Sequence, residues 1–331
     1  MKLYFAPLAY SAVQSFFNRK CAKDATKKTN LSPLLIYSGT SISMSRTLII
    51  TADDFGFSPS VNEAVLRAAE FGTLHAASLM VNMPFAEEAV VAMKQRVPTL
   101  SLGLHVTLTS GKACTPKEGI PLLVDTAGYF KKGFGGLFML LRGKNRADVT
   151  RQIQRELSSQ LSEADRLAKE YSIEFDRLDS HQHVHVLPGM FDLFLDEAVR
   201  RNWTLRIPRE RFGSVRRFFR RFYFWGLSGL LKREILKYFL PPMEAVPMET
   251  PDYFGILDTG KINAAAWREI IAVADRPITE VNVHPSLEPG ADEAVWQCSE
   301  GDRMFHRSAW RRREFDALLT EKLLVVSYFG G

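Results

Sequence analysis

The stretch that decides the fold is RTLIITADDFG, residues 46–56. Thr47–Thr51 is a short run of β-branched and aliphatic residues, which predicts a buried strand. Two carboxylates, Asp53 and Asp54, follow it directly. A helical pattern then runs from Val61 to Phe71, opened by a capping serine and a proline. This order indicates a βα unit with an acidic site at the C-terminal end of its strand.

The same alternation of strand and helix continues along the chain. Further strands are predicted at His75–Asn82, Ser101–Leu108, Phe175–Ser180, Thr204–Ile207, Ile278–Val283 and Leu323–Ser327. Further helices are predicted at Phe85–Gln95, Asp148–Tyr171, Met190–Arg201, Ala264–Ala274 and Ser308–Thr320. Such alternation implies parallel βαβ units, and about seven of them in roughly 280 residues suit a closed or nearly closed barrel. We therefore predict an α/β fold, a (β/α) barrel of irregular or seven-stranded form. The alternative is a doubly wound open sheet, although that fold would favour a glycine-rich first turn.

The composition fits one large globular unit. The 331 residues are 46% apolar and 24% charged, which suffices for a barrel-sized core and argues against wholesale disorder. Residues 1–43 differ from the rest, so we predict a poorly ordered extension there and a single domain over residues 44–331. The three scattered cysteines form no CxxC pair, which indicates reduced thiols of a cytoplasmic protein.

Polar residues gather at the ends of the predicted strands. Five of the seven histidines lie in such positions: His105, His181, His183, His185 and His284. Arg206 lies on another predicted strand end. Because the C-terminal ends of barrel strands converge on one mouth, these side chains should meet the two aspartates of the first strand. In an extended segment the three histidines of residues 181–185 would project to the same side.

Histidines and carboxylates together are divalent-metal ligands, suited to zinc and also to manganese, iron, cobalt or nickel. Two histidines and one aspartate leave positions open for water and substrate, which is typical of a catalytic site. Two adjacent carboxylates would repel each other unless one binds the metal and the other takes a proton from water. For any single residue the alternative remains a structural histidine or a loop aspartate beside a helix N-terminus. The set as a whole predicts a metal-dependent hydrolase.

Four motifs together carry a family resemblance. They are Ala52-Asp-Asp-Phe-Gly56 with Ser58 and Asn62, Gly103-Leu-His-Val-Thr-Leu-Thr109, Leu178-Asp-Ser-His-Gln-His-Val-His185 and Val283-His-Pro285. As a set they resemble the YdjC-like carbohydrate deacetylases, which include the chitooligosaccharide deacetylases. The resemblance runs from about Thr47 to Ser327. It implies a barrel related to the polysaccharide deacetylases, a divalent metal, and hydrolysis of the N-acetyl group of an amino sugar.

The resemblance also implies roles for individual residues. The metal ligands fall on Asp54, His105 and His181, with Mg²⁺ or Zn²⁺ as the ion. Asp53 falls on the catalytic base and His284 on the general acid that protonates the departing sugar nitrogen.

Other site candidates rest on their positions in the sequence. Arg206 is expected to orient Asp53 or to bind a sugar oxygen, with a structural ion pair as the alternative. Asp179 and His185 are expected to hold His181 in its tautomer. Weaker candidates for substrate contact are Asn62, Tyr253 and Phe254.

Two basic, apolar stretches, residues 128–146 and 209–240, interrupt the alternation and carry much of the chain's excess positive charge, which is +6 overall. Such segments are typical of a membrane interface with anionic headgroups, and we expect peripheral association with the inner face of the membrane. Basic and aromatic residues also bind nucleic acid, but the aliphatic content and the hydrolytic site argue against that partner. A surface lid that packs its own aromatic residues is the remaining alternative.

The expected substrate is an acetylated amino sugar, and membrane contact would suit one that is linked to a lipid. Within the family the chain resembles the hopanoid-biosynthesis-associated HpnK branch, which implies an N-acetylglucosaminyl hopanoid. Another metal-dependent amide or ester hydrolase and a catalytically silent sugar- or lipid-binding barrel remain as alternatives. The sequence leaves the oligomeric state open, a homodimer included.

Overall fold

The computed structural model describes residues 47–211, 228–242, 250–291 and 298–320, together with residues 245, 246, 248 and 296. The strands are β1 Thr47–Phe55, β2 Ala76–Leu79, β3 Ser101–Val106, β4 Phe175–Ser180, β5 Thr204–Leu205, β6 Asp252–Phe254 and β7 Ile278–Val283. The helices are α1 Pro59–Phe71, α2 Ala86–Arg96, α3 Phe134–Arg142, α4 Arg146–Tyr171, α5 Phe191–Arg201, α6 Ser228–Phe239, α7 Ala264–Val273, α8 Glu300–His306 and α9 Trp310–Thr320. Short 3₁₀ segments lie at Lys117–Gly119 and His181–Val186.

The seven strands form one sheet in the order β5-β4-β3-β2-β1-β7-β6, and every neighbouring pair is parallel. The two edges of this sheet approach each other, because Glu210, shortly after β5, forms a parallel bridge with Tyr253 of β6. The sheet is thus a nearly closed, seven-stranded barrel with helices outside. The predicted α/β barrel is confirmed, and the open doubly wound sheet is excluded.

Strand β1 lies in the middle of this sheet, between β2 and β7. Residues 50–55 are all buried, as expected of a parallel strand covered on both faces. The strand continues past the predicted end at Thr51 and includes both aspartates. The Ser58 hydroxyl then accepts from the N–H of Val61, and Pro59 occupies the first turn of α1. The sequence between residues 47 and 59 therefore presents the two aspartates at the barrel mouth.

The predicted elements that lie in the described residues are all present, with ends shifted by a few residues. Sequence periodicity did not predict α3, α6, α8 or the short strand β6. Helix α3 belongs to the first basic stretch and α6 to the second, and the rings of Phe138 and Phe239 join them at 5.4 Å. The predicted strand Leu323–Ser327, residues 1–43 and residues 212–227 lie outside the described part of the chain. Among the helices of that part, the longest apolar stretch falls short of what a membrane crossing requires.

Candidate metal centre and active site

Three side chains that could bind a metal ion meet at the mouth of the barrel. The Asp54 Oδ1 atom lies 3.2 Å from His181 Nδ1 and 3.8 Å from His105 Nε2. Ligand atoms of these three residues all lie within 4.8 Å of one another, and all three residues are buried. Neither carboxylate oxygen of Asp54 accepts a well-formed hydrogen bond from a described residue. Its Oδ2 atom lies 3.2 Å from Arg311 Nη2, and a buried carboxylate that also faces two imidazoles fits a divalent cation.

The backbone of β1 makes this geometry accessible to Asp54. Its φ of 63° is in the left-handed region, which aspartate tolerates better than most residues. The register with β2 shifts between Ala52 and Phe55, so the strand is irregular where the carboxylates lie. Asn62 stabilises the following turn: its Oδ1 accepts from Gly56 N at 2.7 Å and its Nδ2 donates to Phe85 O at 3.1 Å. With both ends of its amide used, Asn62 has the structural role rather than the predicted substrate contact.

A carboxylate orients the first imidazole. His105 Nδ1 forms a hydrogen bond with Asp179 Oδ1, which leaves Nε2 facing Asp54. Asp179 is itself fixed, because its other oxygen accepts from Ser78 Oγ at 2.6 Å. Such a carboxylate–histidine pair sets the tautomer and raises the basicity of a metal ligand. The prediction that Asp179 orients His181 is therefore wrong, since Asp179 lies behind His105.

A different carboxylate, Asp302 of α8, lies behind the second imidazole. Its Oδ1 atom is 3.4 Å from His181 Nε2, on the side of the ring away from Asp54. Ser110 and Gln182 donate hydrogen bonds to Asp302. Sequence reasoning missed Asp302 because it lies in a helix and not at a strand end. Its position in SEGDR, after a capping serine, gave no signal that it would reach the site.

The electrostatics of these ligands suit a cation. Burial alone would raise the pKa of Asp54, but His181 and Arg311 outweigh it and hold that pKa well below the usual range. Burial would lower the pKa of His181, whereas Asp302 and Asp54 raise it to about 10. Asp54 is therefore ionised at neutral pH, and a metal ion that binds His181 would displace a proton from it.

Asp53 lies beside this cluster, with its Oδ2 3.8 Å from His105 Nε2, but its carboxylate is bound by a buried arginine. Arg206 Nη1 donates to both carboxylate oxygens of Asp53 at 2.9 Å, and Asn282 Nδ2 donates to Oδ2 at 2.6 Å. The same guanidinium bonds Glu280 through Nε at 3.0 Å. The Arg206 side chain is fully buried, so it orients Asp53 and cannot reach a sugar in the cavity. Of the two roles predicted for Arg206, the geometry supports the positioning one.

His284 lies on the other side of Asp53. Its Nε2 is 3.9 Å from Asp53 Oδ2. Two residues of α9 fix its backbone: the N–H of His284 donates to Glu314 at 2.9 Å, and its carbonyl accepts from Arg311 Nε at 2.9 Å. Burial lowers the pKa of His284 to about 4, although Asp54 and Asp53 oppose the shift. The imidazole is therefore neutral at pH 7.

The His181–His185 segment does not have the extended conformation that would direct its three histidines to one side. It is not extended, because Gln182 and His183 have φ values of 58° and 59° and the chain folds into a tight 3₁₀-like turn. Its histidines consequently separate. His185 is hydrogen-bonded to Ser180 Oγ at 2.6 Å and to the carbonyl of Arg206 at 3.0 Å. His185 therefore stabilises the backbone of Arg206. The prediction that it orients His181 is wrong.

Tyr253 and Phe254 do not form the predicted wall for a sugar ring. They are 1% and 0% exposed, because β6 is part of the barrel itself. The Tyr253 ring instead faces the Arg206 guanidinium at 5.8 Å, inside the protein. Aromatic residues in the core are the common outcome, and the sequence alone did not separate that outcome from a binding face.

A cavity of about 550 Å³ opens above these groups, a volume that suits a sugar-sized ligand. Its polar floor includes Asp53, His105, His181, His284 and Asp302. Its apolar walls come from Phe134, Leu231, Ile235 and Phe305. The cavity is thus lined by the two histidines of the cluster, by Asp53 and His284, and by residues of helices α3 and α6.

Comparison with known proteins finds a matching family and several relatives. The family model of the YdjC-like proteins matches residues 47–326. A carbohydrate deacetylase of Thermoanaerobacter pseudethanolicus is 30% identical over 244 residues, covering 71% of this chain and 92% of the relative. A carbohydrate deacetylase of Brevibacillus brevis is 34% identical over 249 residues, covering 75% of this chain and 83% of the relative. A crystal structure from Enterococcus faecalis, described as a cellobiose-phosphate cleavage protein, shares the fold with a TM-score of 0.57 at 22% identity, covering 86% of this chain and 95% of that one.

Proposed function

This chain belongs to the YdjC-like proteins, and on that premise we propose that it is a metal-dependent carbohydrate deacetylase that removes the N-acetyl group from an acetylated amino sugar. The observation that carries the proposal is the cluster of Asp54, His105 and His181, whose two histidines lie on the floor of a sugar-sized cavity beside Asp53. The names of the curated relatives support the sugar and the reaction class.

The residues that would hold the metal are Asp54, His105 through Nε2 and His181 through Nδ1. When bound, a divalent ion such as Mg²⁺ or Zn²⁺ makes a water molecule more acidic and polarises the acetyl carbonyl. Asp179 and Asp302 keep the two imidazoles in the orientation that this binding needs.

Asp53 is the base that takes a proton from the attacking water. Its carboxylate is fixed by Arg206 and Asn282, so it faces the reaction in one orientation at little entropic cost. His284 delivers a proton to the leaving amine. Because its lowered pKa makes it neutral at pH 7, it must first receive that proton, and the carboxylate within 4 Å of its Nε2 is Asp53. The proton removed from water thus passes from Asp53 through His284 to the amine.

Acetate release from N-acetylated chitooligosaccharides tests this function. The purified chain is expected to release acetate and free amine in equal amounts, to stop when a chelator removes the metal, and to recover when the metal is restored. Turnover that survives chelation, with no metal in the protein, would contradict the proposal. An ester, cyclic-amide or phosphate hydrolase of the same metal type would act on those substrates and leave the acetylated sugar intact.

A catalytically silent sugar- or lipid-binding barrel is the second class to test. It would bind acetylated sugars without releasing acetate. Against it stands the fixed geometry around Asp53, because a binding module needs neither a base held by an arginine nor a histidine beside that base.

A lipid-linked substrate, such as the acetylglucosaminyl hopanoid of the HpnK branch, is the more specific proposal. The cavity wall is partly apolar, through Phe134 of α3 and Leu231 and Ile235 of α6. The same two helices expose Met139, Leu231 and Tyr238, which are 66%, 61% and 82% exposed. Apolar side chains of this kind, next to basic residues, suit contact with an anionic bilayer beside the cavity mouth.

Competition between two substrates tests that proposal. The protein is expected to deacetylate an acetylglucosaminyl lipid in mixed micelles faster than soluble acetylated chitobiose. Efficient turnover of chitobiose with none of the lipid would exclude the lipid-linked substrate and leave the deacetylase proposal intact.

A further inference from the structure

Helix α6 is fixed over the gap between β5 and β6. Arg233 Nε donates to the carbonyl of Glu210 at 2.7 Å, and Leu236 is fully buried. Gly229 packs so closely on the loop after β6 that an added Cβ would lie 2.9 Å from the carbonyl oxygen of Leu257. These residues are spaced by four and three positions and therefore lie on one face of the helix. Because this face of the helix is packed against the barrel, the residues beside it are held in fixed positions.

Lys232 is one of these neighbouring residues, and it lines the cavity together with Asp53, His181 and His284. Among the described residues of the lining, it is the one lysine or arginine. Burial lowers the pKa of Lys232, while Asp53, Asp54 and Asp302 oppose the shift, as expected of an amine inside the cavity near these carboxylates.

None of the described carboxylates around Lys232 forms an ion pair with it. Each of them already has another cationic partner. The pairs are Asp53 with Arg206 at 2.9 Å, Asp54 with Arg311 at 3.2 Å and Asp302 with His181 at 3.4 Å. Lys232 itself makes no hydrogen bond or ion pair of ordinary length with the described part of the chain. A partly buried amine without a partner costs free energy, so its place in the cavity calls for a ligand.

We propose that Lys232 is a catalytic residue that binds the acetyl oxygen of the substrate as negative charge develops there. This inference rests on the deacetylase function. In the reaction, the water oxygen bonds to the carbonyl carbon and the electron pair of the C=O bond moves onto oxygen. That pair returns when the C–N bond breaks, the amine takes the proton from His284, and acetate leaves. A preplaced ammonium group stabilises the intermediate oxyanion more than the neutral substrate.

Lys232→Met tests this role, with Lys237→Met as the matched control because Lys237 is an exposed lysine of the same helix. For acetate release from an N-acetylated chitooligosaccharide, Lys232→Met is expected to lower kcat/KM by about 10²–10³, with KM changed by no more than about threefold. A methylphosphonamidate analogue, which carries charge as the intermediate does, should lose affinity by the same factor. Lys237→Met should match the wild type in both measurements.

Several outcomes would overturn the inference. Wild-type kcat in Lys232→Met would do so, as would a rise in KM alone, which indicates a contact to the neutral substrate only. Loss of bound metal in parallel with activity would assign Lys232 a structural role. If Lys232→Met does not fold, Lys232→Arg, which keeps the charge, should retain more kcat than Lys232→Gln, and equal rates would contradict the role. A wild type inactive on both the chitooligosaccharide and an acetylglucosaminyl lipid would overturn the deacetylase function itself, whereas an active wild type matched by Lys232→Met would overturn only the role of Lys232.

Discussion

Asp53 and Asp54 are adjacent in the sequence, and both lie near His105 and an arginine, yet their hydrogen bonds differ. Asp53 accepts from Arg206 and Asn282 through well-formed hydrogen bonds. Asp54 accepts no well-formed hydrogen bond from a described residue. Its Oδ2 pairs with Arg311 at 3.2 Å, and its Oδ1 faces one nitrogen of His181 and one of His105. This difference supports the proposed roles of Asp53 as the base and Asp54 as a metal ligand, the order that the family resemblance implied.

Asp53→Asn is expected to reduce kcat by at least about 10³ while metal binding is retained. The amide has nearly the same shape but cannot accept the proton from water, and general-base catalysis contributes about 10²–10⁴. Rates and metal content should be measured together, with Asp316→Asn, an exposed position on α9, as the control. Loss of metal with turnover retained would reverse the assignment.

Asp302→Asn is expected to weaken metal binding by about 10–100-fold, because an outer carboxylate fixes the orientation and basicity of its histidine. Much of kcat should return at saturating metal, since the ligand itself is intact. Titration with metal measures the change, and Glu300→Gln, an exposed position on the same helix, is the control. An unchanged metal affinity would show that Asp302 does not position His181.

The pH dependence of kcat/KM tests the state of His284. Its pKa is about 4, so the reaction begins with a neutral imidazole and kcat/KM should not fall as the pH rises from 5 to 8 on account of this residue. His284→Gln should be slower by about 10²–10⁴. A fall in wild-type kcat/KM as the pH rises through about 6.5, absent in the variant, would mean that the protonated form starts the reaction.

At the scale of elements, α9 connects the outer layer to the barrel mouth. Glu314 accepts from the N–H groups of His284 and Ile262 at 2.9 and 3.2 Å, although it is buried. Burial raises its pKa to about 8 in spite of these hydrogen bonds. The helix therefore holds the end of β7 with a carboxyl group that is protonated at neutral pH.

This raised pKa makes stability depend on pH. Above pH 4.5 the unfolded chain loses the Glu314 proton while the folded chain keeps it up to about pH 8, so stability falls as the pH rises through that window. Glu314→Gln should flatten this part of the curve of unfolding free energy against pH, by up to a few kcal/mol across the window, as measured by denaturant unfolding. Asp316→Asn should leave the slope unchanged. An unchanged slope in Glu314→Gln would contradict the raised pKa. Glu314→Gln should also lower the free energy of unfolding by an amount that does not depend on pH, because glutamine cannot accept from both N–H groups.

The strands that hold the site were predictable because they are regular and buried. The predicted strand at residues 47–51 places Asp53 and Asp54 at its C-terminal end. The predicted strand at residues 101–108 brings His105 to the same mouth. The turn at His181–Val186 was not predictable, since two successive residues with positive φ break the alternation on which the strand reading relied. Asp302 and Lys232 were missed for a related reason: helices outside the predicted sheet bring them to the cavity.

At the scale of the whole molecule, the site depends on the near closure of the barrel. The three proposed ligands come from β1, from β3 and from the turn that follows β4, and His284 follows β7, so their meeting requires the curled sheet. The parallel bridge between Glu210 and Tyr253 brings the edges together beneath α6. The fold thereby joins a rigid polar floor to walls formed by two helices of the basic stretches.

Locating the metal tests the central claim most directly. A crystal of the zinc-loaded protein, measured at the zinc absorption edge, is expected to show one strong anomalous peak at about 2.0–2.2 Å from an Asp54 oxygen, His105 Nε2 and His181 Nδ1. Asp53 should remain on Arg206 and outside bonding distance of the peak. An active, zinc-loaded protein with its anomalous peak elsewhere would contradict the account.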